Sequence, residues 1–349
     1  MRRWFTIVAF LIALVCLLSC QSRSKEVLYL FNWTDYIEQS LIKRFERENN
    51  CRVVLDTYNS NETMHAKLLT SKSAFDIIIP SGDYIALLLE DDLLDELDFS
   101  LLPNMRNLNP DILNKIKEYE FKGGYTVPYF WGTSGIIYNR KYISDAEMAD
   151  ISWDIFSESK YENKFTLLDD IREVIGAALI ANGYQPNEFT ATSLATARQT
   201  LLRWDKNVLQ YDSDSFKNEI QDGTIWLGHA YNGDALQVME ENDEVGFVLP
   251  REGSTLWIDF FAIPRNAESK ELAHKFINFF LEENNALKNA EYVQYATPNL
   301  AAYDKLDEVT RSNENIYPTD EYLNRSYLLK HIRDEILKLD IIWQEIRNN

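Results

Sequence analysis

The segment 27–94 alternates between apolar extended runs and amphipathic helical runs, and this alternation constrains the fold more than any other feature. The hydrophobic periodicity predicts strands at 27–33, 52–58 and 75–80 and helices at 37–49, 61–71 and 84–94. Parallel strands need a crossover segment between them, and helices supply it here. We therefore predict an α/β fold with a mostly parallel sheet between two layers of helices.

A second set of α/β elements follows residue 125. We predict two short extended runs within 125–139, around Gly132 and Gly135, and then further strands and helices. These are strands at 165–168, 225–231, 246–249 and 256–264 and helices at 172–182, 193–204, 270–289 and 320–349. The second set indicates a second α/β unit with its own sheet.

The length of the chain and its lack of a linker bear on domain organisation. A chain of 349 residues exceeds what one small core usually serves, and no Pro- or Ser-rich segment interrupts it. We therefore expect two domains joined by crossing strands, with a hinge between them and a ligand in the interdomain cleft. The predicted division is 27–134 plus 258–302 for domain I and 135–257 plus 303–349 for domain II.

Two arginines and an apolar run open the chain. Arg2 and Arg3 precede the apolar segment 4–18, which is shorter than the ~20 residues that a helix needs to span a bilayer. The run ends in Leu-Leu-Ser-Cys at 17–20, which resembles the cleavage box of bacterial lipoproteins. We therefore predict a signal peptide at 1–19, a lipidated tether at 20–26 that begins at Cys20, and a periplasmic location on a membrane anchor. The alternatives are an ordinary signal peptide or an uncleaved anchor.

The chain is strongly acidic, with a formal net charge of −20 at pH 7. A field of this sign disfavours nucleic acid and anionic lipid surfaces as partners and attracts cations. Cys16 lies in the predicted leader and Cys20 is the predicted lipid site, so Cys51 is left alone in an apolar run. We therefore predict neither a disulfide nor a metal site, expect no cofactor, and expect Cys51 to be buried in a strand.

The strand predicted at 256–264 carries an acidic residue within an apolar run. In a strand, Trp257, Asp259 and Phe261 share one face. A buried Asp is costly unless it meets a cation or hydrogen-bond donors. Asp259 and Trp257 together form half of an ammonium site, in which the carboxylate supplies charge and the ring a cation–π contact. The alternative is a carboxylate that backbone N–H groups satisfy at the end of the strand.

Acidic and aromatic residues also follow three other predicted strands. The three motifs are Asn-Trp-Thr-Asp-Tyr at 32–36, Asp-Asp-Ile-Arg-Glu at 169–173 and Tyr-Asn-Gly-Asp at 231–234. Because strand ends face the expected cleft, these side chains are candidates for ligand contacts. Two have a structural alternative: Thr34 or Asp35 caps the next helix, and Asp170 with Glu173 has the spacing of a capping box.

Together these motifs resemble the spermidine/putrescine-binding proteins of bacterial ABC importers of polyamines. The resemblance extends in order over nearly the whole chain and includes Asn-Trp-Thr-Asp-Tyr at 32–36, Pro-Tyr-Phe-Trp-Gly at 128–132, Asp-Asp-Ile-Arg-Glu-Val at 169–174, Trp-Ile-Asp at 257–259 and Ala-Thr-Pro-Asn-Leu-Ala-Ala at 296–302. It implies a hinged, two-domain periplasmic binding protein fold of type II with a linear polyamine in the interdomain cleft. The implied partners are putrescine or spermidine and the permease of an ABC transporter.

The resemblance also implies which residues contact the polyamine. Carboxylates would meet its ammonium groups, aromatic rings would flank its methylenes, and hydroxyls would lie at its ends. The carboxylates are Asp35, Asp170, Glu173 and Asp259, the aromatic residues are Trp33, Tyr36, Trp257 and Tyr295, and the hydroxyl residues are Thr34, Ser81 and Ser213.

Three positions depart from the pattern of that family. Asp35 stands where a Glu is common, Tyr231 where a Trp is common, and Asp83 where an aromatic residue is common. Near 327–328 the chain has no counterpart of the family's polar contact from the C-terminal segment. We expect Tyr231 and Asp83 to belong to the pocket, and these departures leave the choice between putrescine and spermidine open.

Other functions fit the sequence less well. The chain has no phosphate-binding loop and no His-Glu-x-x-His or Gly-x-Ser-x-Gly motif, and its four histidines are scattered, so we expect no enzymatic activity. Paired carboxylates such as Asp170 and Glu173 would in principle suit a glycosidase. The alternatives within the same fold are a polyamine sensor lipoprotein and an oligosaccharide-binding lipoprotein, although sugar sites favour more Asn, Gln and Arg than these motifs contain.

Overall fold

The computed structural model describes residues 25–70, 75–115, 123–332 and 335–348. The predicted signal peptide, Cys20 and most of the predicted tether therefore lie outside the described residues. None of the helices in this part of the chain combines the length and the apolar character that a membrane span requires.

Strands and helices alternate along the chain as the sequence predicts. The strands are β1 (Glu26–Trp33), β2 (Cys51–Tyr58), β3 (Ile77–Ile78), β4 (Thr126–Asn139), β5 (Phe165–Leu167), β6 (Gln210–Tyr211), β7 (Leu227–Tyr231), β8 (Val245–Val248), β9 (Thr255–Ala262) and β10 (Tyr327–Leu328). The helices are α1 (Gln39–Asn49), α2 (Asn61–Thr70), α3 (Gly82–Glu90), α4 (Pro110–Lys115), α5 (Asp145–Met148), α6 (Ile171–Ala181), α7 (Ala191–Asp205), α8 (Phe216–Asp222), α9 (Asn232–Glu241), α10 (Lys270–Phe280), α11 (Glu283–Val293), α12 (Leu300–Tyr303), α13 (Glu308–Arg311), α14 (Asp320–Leu323) and α15 (Ile336–Arg347).

The strands form one continuous mixed sheet, so the prediction of a separate sheet for the second unit is wrong. Its order is β2-β1-β3-β9-β4-β7-β5-β6, with β8 paired to β4 and β10 paired to β9. β1 runs parallel to β2 and β3, and β5 runs parallel to β6 and β7, which confirms the predicted parallel pairing. β4 and β9 run antiparallel to each other through the middle of the sheet.

Two large hydrophobic cores divide the molecule into two lobes. The first lobe packs around buried residues within 28–130 and 257–295, and the second lobe packs around buried residues within 136–248 and 339–346. Cys51 is a free thiol buried at the start of β2 in the first core, as the sequence predicts. The space between the two cores is where a ligand site can form.

β4 connects the two lobes as one long strand, so the prediction of two short runs around Gly132 and Gly135 is wrong. Its first half pairs with β9, and from Ser134 onward it pairs with β7 and β8. The glycines serve close packing instead of turns: an added Cβ would lie 2.5 Å from the Trp257 ring at Gly132 and 2.5 Å from the Phe247 ring at Gly135. Two aromatic side chains thus pack directly on this strand.

The single long helix predicted at 270–289 is also wrong, because α10 and α11 are separate helices. Side-chain amides of Asn107 and Asn299 both donate to the carbonyl of Leu281, at 3.0 and 2.9 Å. A helix ends readily where its last carbonyls find such partners. These amides come from distant parts of the chain, so the local sequence pattern does not reveal the break.

The tail predicted as helix over 320–349 is helical only in part. Between α14 and α15 the chain forms β10, which pairs in parallel with the start of β9. The N–H groups of Tyr327 and Leu329 donate to the carbonyls of Ser254 and Leu256 at 3.0 Å each. This pairing brings the C-terminal segment to the edge of the space between the lobes.

Candidate functional site

A cleft of about 840 Å³, its mouth included, lies between the two lobes. Twelve of the thirteen ligand-contact residues that the sequence indicated line it, and Asp35 is the exception. The twelve are Trp33, Thr34, Tyr36, Ser81, Asp83, Asp170, Glu173, Ser213, Tyr231, Trp257, Asp259 and Tyr295. The sequence motifs therefore converge on one site.

Strand ends and helix starts carry these side chains into the cleft. Trp33 is the last residue of β1, Tyr231 is the last residue of β7, and Asp170 precedes the first turn of α6. Ser81 lies just before α3, which follows β3. The cleft thus lies at the carboxyl ends of strands, where α/β folds commonly bind ligands.

Among the acids that the first lobe contributes to the cleft, Asp259 is the most buried, with 5% of its surface exposed. The hydroxyl of Ser81 donates to its Oδ1 at 2.6 Å. Burial raises the pKa of Asp259 to about 7, and the hydroxyls of Ser81 and Tyr36 act in the opposite direction. The donor that satisfies Asp259 is thus a side-chain hydroxyl, and the carboxylate faces the cleft.

Aromatic rings form a row along the cleft. The ring of Trp257 meets Tyr231 and Tyr295 edge to face, with centroids 6.0 and 5.0 Å apart. Tyr36 in turn meets Tyr295 at 5.3 Å. The indole N–H of Trp257 is buried and has no hydrogen-bond partner among the described residues. This row offers both ring surface and an available donor to a bound molecule.

Asp170 caps α6 and also faces the cleft. Its Oδ1 accepts from the N–H groups of Arg172 and Glu173 at 2.8 and 3.0 Å, which confirms the predicted capping role. Its Oδ2 accepts from the hydroxyl of Tyr231 at 3.0 Å. The capping alternative and the ligand hypothesis are therefore compatible, because each involves a different oxygen.

Glu173 does not complete a capping box; its buried carboxylate lies in the wall of the cleft against the start of β9. The hydroxyl of Thr255 donates to its Oε2 at 2.5 Å. Burial and, to a smaller extent, the neighbouring Asp170 raise the pKa of Glu173 to about 8. His229 lies 3.8 Å away, but burial lowers its pKa to about 3, so at neutral pH it adds no positive charge.

Arg172 is a cation within the wall of the cleft and pairs with an acid of the other lobe. Its Nη1 lies 3.5 Å from Oδ2 of Asp83 and also donates to the carbonyl of Lys330 at 2.9 Å. Burial raises the pKa of Asp83 to about 6, although Arg172 opposes that shift. Asp83 therefore lines the pocket, as predicted, and Arg172 already provides its counter-charge.

Lys217 is a second internal cation, and it lies on α8 with only 17% of its side chain exposed. Its ammonium is 3.0 Å from Oδ1 of Asp234 and 3.5 Å from Oδ2 of Asp35. Burial alone would lower the pKa of Lys217, but Asp234 and Asp35 raise it above its ordinary value. This lysine remains charged and links the two lobes.

Asp35 is the one predicted ligand carboxylate that does not line the cleft. Its side chain is 56% exposed and reaches Lys217 instead of the cleft wall. Its φ of 53° places it in the left-handed region of a turn. Neither Thr34 nor Asp35 caps α1, because Glu38 accepts from the N–H of Ser40 at 2.9 Å in that role.

Two other predicted residues make contacts within the protein as well as lining the cleft. The indole N–H of Trp33 donates to the carbonyl of Ile79 at 2.8 Å. The hydroxyl of Ser213 accepts from the N–H of Asp169 at 3.0 Å. Both side chains are held in place by neighbouring segments, which fixes the shape of the wall.

Sequence reasoning missed several residues that line the cleft. They are Tyr58, Asn59, Asn61, Glu62, Tyr84, Arg172, Asp214, Lys217, Asp234 and Leu329. Arg172 and Asp234 lie inside motifs that were already notable, so their neighbours provided a signal. Lys217 lies outside every motif, and no pattern in the sequence could have indicated it. The described residues contain no cluster of three or more acidic, His or Cys side chains suited to a metal ion.

The chain is similar to known solute-binding proteins over most of its length. A family model for bacterial extracellular solute-binding proteins matches residues 40–317. The spermidine/putrescine-binding periplasmic protein of Escherichia coli (strain K12) is 36% identical over 295 residues, which are 84% of each chain.

Solved structures agree with this relationship. The spermidine/putrescine ABC transporter substrate-binding protein PotD of Streptococcus pneumoniae gives a TM-score of 0.79 at 32% identity, covering 93% of this chain and 99% of that one. The TpPotD lipoprotein of Treponema pallidum gives a TM-score of 0.81 at 32% identity, covering 93% and 100%. These similarities, together with the two-lobed α/β architecture, identify a periplasmic binding protein fold of type II.

The Escherichia coli relative is a binding protein of the periplasm, and the Streptococcus pneumoniae relative is the substrate-binding protein of an ABC transporter. The chain is accordingly a substrate-binding transport protein and not an enzyme, and proteins of this kind are extracellular or periplasmic. It belongs to the spermidine/putrescine-binding periplasmic proteins of bacterial ABC importers.

Proposed function

We propose that this protein captures a linear polyamine in the cleft and delivers it to the permease of an ABC transporter. The observation that carries the proposal is the arrangement of the cleft: acids from opposite lobes lie on either side of a row of aromatic rings. Asp259 comes from the first lobe, and Asp170 with Glu173 comes from the second lobe. Trp257 lies two residues before Asp259 in β9. Its ring contacts Tyr231, which is the hydrogen-bond partner of Asp170.

The energetics of such a site suit a cation with an ammonium group at each end. A desolvated cation–π contact contributes about 2 kcal/mol, and a hydrogen bond to a charged group contributes roughly 1.5–3 kcal/mol. Two such ammonium sites together reach about −8 kcal/mol, which corresponds to micromolar affinity. A monovalent cation occupies only one of the two acidic sites, so the cleft favours a molecule with two or more ammonium groups.

The separation of the acids between the lobes suggests how binding is coupled to delivery. A polyamine that bridges Asp259 and the Asp170–Glu173 pair holds the lobes together, and closure removes its hydrocarbon segment from water. We propose that the permease recognises this closed form. The hinged division into 27–134 plus 258–302 and 135–257 plus 303–349 is part of the same proposal.

We further propose that Cys20 carries a lipid that anchors the protein to a bacterial membrane after cleavage of residues 1–19. The Leu-Leu-Ser-Cys sequence at 17–20 supports this proposal, and the Treponema pallidum relative is itself a lipoprotein. In cells that express the chain, labelled fatty acid should enter the parent protein and not the Cys20→Ser variant. Equal labelling of both proteins would contradict lipidation at Cys20.

Isothermal titration calorimetry tests the polyamine proposal. Any amine that copurifies is first removed by partial unfolding and dialysis, and the refolded protein is titrated with putrescine and then spermidine. We expect one-to-one binding of at least one of them at micromolar affinity or better, and no heat from a neutral oligosaccharide. A folded sample that binds neither polyamine would refute the proposed function.

A further inference from the structure

We infer that Lys217 limits the cleft to ligands with two ammonium groups, so that a diamine such as putrescine binds more tightly than a triamine such as spermidine. The inference rests on the proposed function, because it concerns how many cationic groups the same cleft accepts. The names of the relatives do not decide between putrescine and spermidine, and the inference attributes this preference to one lysine.

The first step is the balance of charges inside the cleft. Five of the carboxylates that line it belong to residues that are buried or half-buried: Asp83, Asp170, Glu173, Asp234 and Asp259. Two of these already hold an internal cation, since Asp83 lies 3.5 Å from Arg172 and Asp234 lies 3.0 Å from Lys217. Those two acids have little capacity left for a ligand.

The remaining three acids form two separate groups. Asp170 and Glu173 lie at the start of α6, whereas Asp259 lies on β9 in the other lobe. Within the described part of the chain, no Lys or Arg is within 4.0 Å of any of the three. Two groups of acids without a counter-charge correspond to two ammonium sites.

The other two carboxylates that line the cleft lie at its mouth. Glu62 and Asp214 belong to exposed residues, and Glu62 accepts a hydrogen bond from the hydroxyl of Tyr84. Burial raises the pKa of both acids, but neither adds a separate third site: Glu62 lies near Asp170 and so belongs to the Asp170–Glu173 group, and the charge of Asp214 is already offset by Lys217.

Lys217 lies where a third ammonium would otherwise find a buried acid. The row of rings from Tyr231 through Trp257 to Tyr295 leads from Asp170 toward Asp234, whose N–H donates to the Tyr295 hydroxyl at 3.3 Å. The ammonium of Lys217 forms an ion pair with the carboxylate of Asp234 at that end of the row. A longer polyamine that follows the rings therefore meets a fixed positive charge.

Two ion pairs and burial hold the side chain of Lys217 in place. Asp234 and Asp35 hold the ammonium from two lobes, and the side chain is largely buried. Moving it aside for a ligand would break both ion pairs, and the described residues offer Asp35 and Asp234 no other ion pair. Repulsion by this charge thus acts against a third ammonium and leaves the two-ammonium sites unaffected.

The test compares the dissociation constants of putrescine and spermidine for the parent, Lys217→Met and the control Lys288→Met. Lys288 is 53% exposed and lies outside the cleft. We expect the parent to bind putrescine at least tenfold more tightly than spermidine. Lys217→Met should narrow that ratio at least tenfold through tighter binding of spermidine, whereas Lys288→Met should leave it unchanged.

A double variant identifies the acid that would receive the third ammonium. Adding Asp234→Asn to Lys217→Met should abolish the gain in spermidine affinity, because no buried carboxylate then remains at that end. Circular dichroism verifies that each variant is folded, and Lys217→Gln replaces the Met variant if that variant does not fold.

The possible outcomes separate this inference from the proposed function. If the parent binds neither polyamine, the proposed function fails and the inference fails with it. If the parent binds both but prefers spermidine, or if Lys217→Met leaves the ratio unchanged, the inference alone is overturned and polyamine binding stands.

Discussion

Burial determines the behaviour of the individual acids in the cleft. Asp259 and Glu173 lie almost entirely out of water, and desolvation raises their pKa values to about 7 and about 8. Burial raises the pKa of Asp83 to about 6 even with Arg172 beside it. A bound ammonium replaces the missing water with a counter-charge, so ligand binding and ionisation of these acids are coupled.

This coupling predicts opposite effects of pH on stability and on binding. In the ligand-free protein, Asp83, Asp259 and Glu173 hold protons more tightly than in the unfolded chain, so their contribution to folding stability falls as pH rises from about 4 to about 8. A polyamine favours the ionised acids, so its affinity rises over the upper part of that range. We expect putrescine to bind at least tenfold more tightly at pH 8 than at pH 6.

Calorimetry in buffers of different ionisation enthalpy measures the protons that binding releases. The groups that face these acids include Glu62, Asp170, Arg172 and His229, and the hydroxyls of Ser81, Tyr36, Ser134 and Thr255. The Glu173→Gln variant should release fewer protons and show a weaker pH dependence. An affinity that is equal at pH 6 and pH 8 would argue against buried, protonated acids in the free cleft.

Removal of single contacts predicts how the affinity is distributed. Asp259→Asn removes a charged acceptor, and Trp257→Ala removes the ring beside it, so each should weaken putrescine binding at least tenfold. The exposed acid in Asp320→Asn lies outside the cleft and should leave affinity unchanged. Titration calorimetry measures all three, and parent-like affinity in both cleft variants would refute the assignment of the pocket.

At the residue level, the sequence predicted the pocket well where a motif ends a strand. Trp33, Asp170 and Tyr231 follow this rule, because fold topology gathers strand ends. Asp35 does not line the cleft and instead pairs with Lys217. Lys217 was missed because its role depends on Asp234 and Asp35, which only the folded chain brings to it.

Among the secondary-structure elements, β4 and β9 determine how the two lobes meet at the site. β4 crosses from one lobe to the other, and Trp257 of β9 packs against it at Gly132. Local periodicity correctly predicted most strands and helices. It could not predict the continuity of β4 or the break between α10 and α11, because ladder pairing and distant Asn side chains decide those features.

Two glycine substitutions in β4 should separate stability from binding. Gly132→Ala places a Cβ 2.5 Å from the ring of Trp257, and Gly135→Ala places one 2.5 Å from the ring of Phe247. Overpacking of this kind costs roughly 1–3 kcal/mol of unfolding free energy, so both variants should be destabilised. Only Gly132→Ala should also lose affinity, because only Trp257 lines the cleft.

Urea unfolding and calorimetry of the two glycine variants provide the comparison. Equal affinity loss in both variants would mean that β4 affects binding through general destabilisation. Parent-like affinity in Gly132→Ala would show that the position of Trp257 does not determine binding.

For the whole molecule, two ion pairs join the lobes. Arg172 with Asp83 and Lys217 with Asp35 each join the first lobe to the second. The sequence predicted two domains and a cleft from element order and length, but not these pairs, since each partner lies far from the other in the chain. The acids of the proposed polyamine site are likewise divided between the lobes, so a ligand bound there would contact both lobes.

A ligand that bridges the lobes should stabilise both of them together. At a putrescine concentration of 100 times the dissociation constant, linkage predicts about 2.7 kcal/mol of added stability. Differential scanning calorimetry should show the unfolding of the whole molecule shifted upward, with little shift in Asp259→Asn at the same concentration. A shift confined to part of the unfolding heat would indicate that the ligand contacts only one lobe.

A crystal structure of the protein with putrescine tests the polyamine site most directly. We expect one ammonium nitrogen within hydrogen-bond distance of Asp259, the other within hydrogen-bond distance of Asp170 or Glu173, and the methylenes against the ring of Trp257. Putrescine bound elsewhere, or with both nitrogens on acids of a single lobe, would contradict the proposed site.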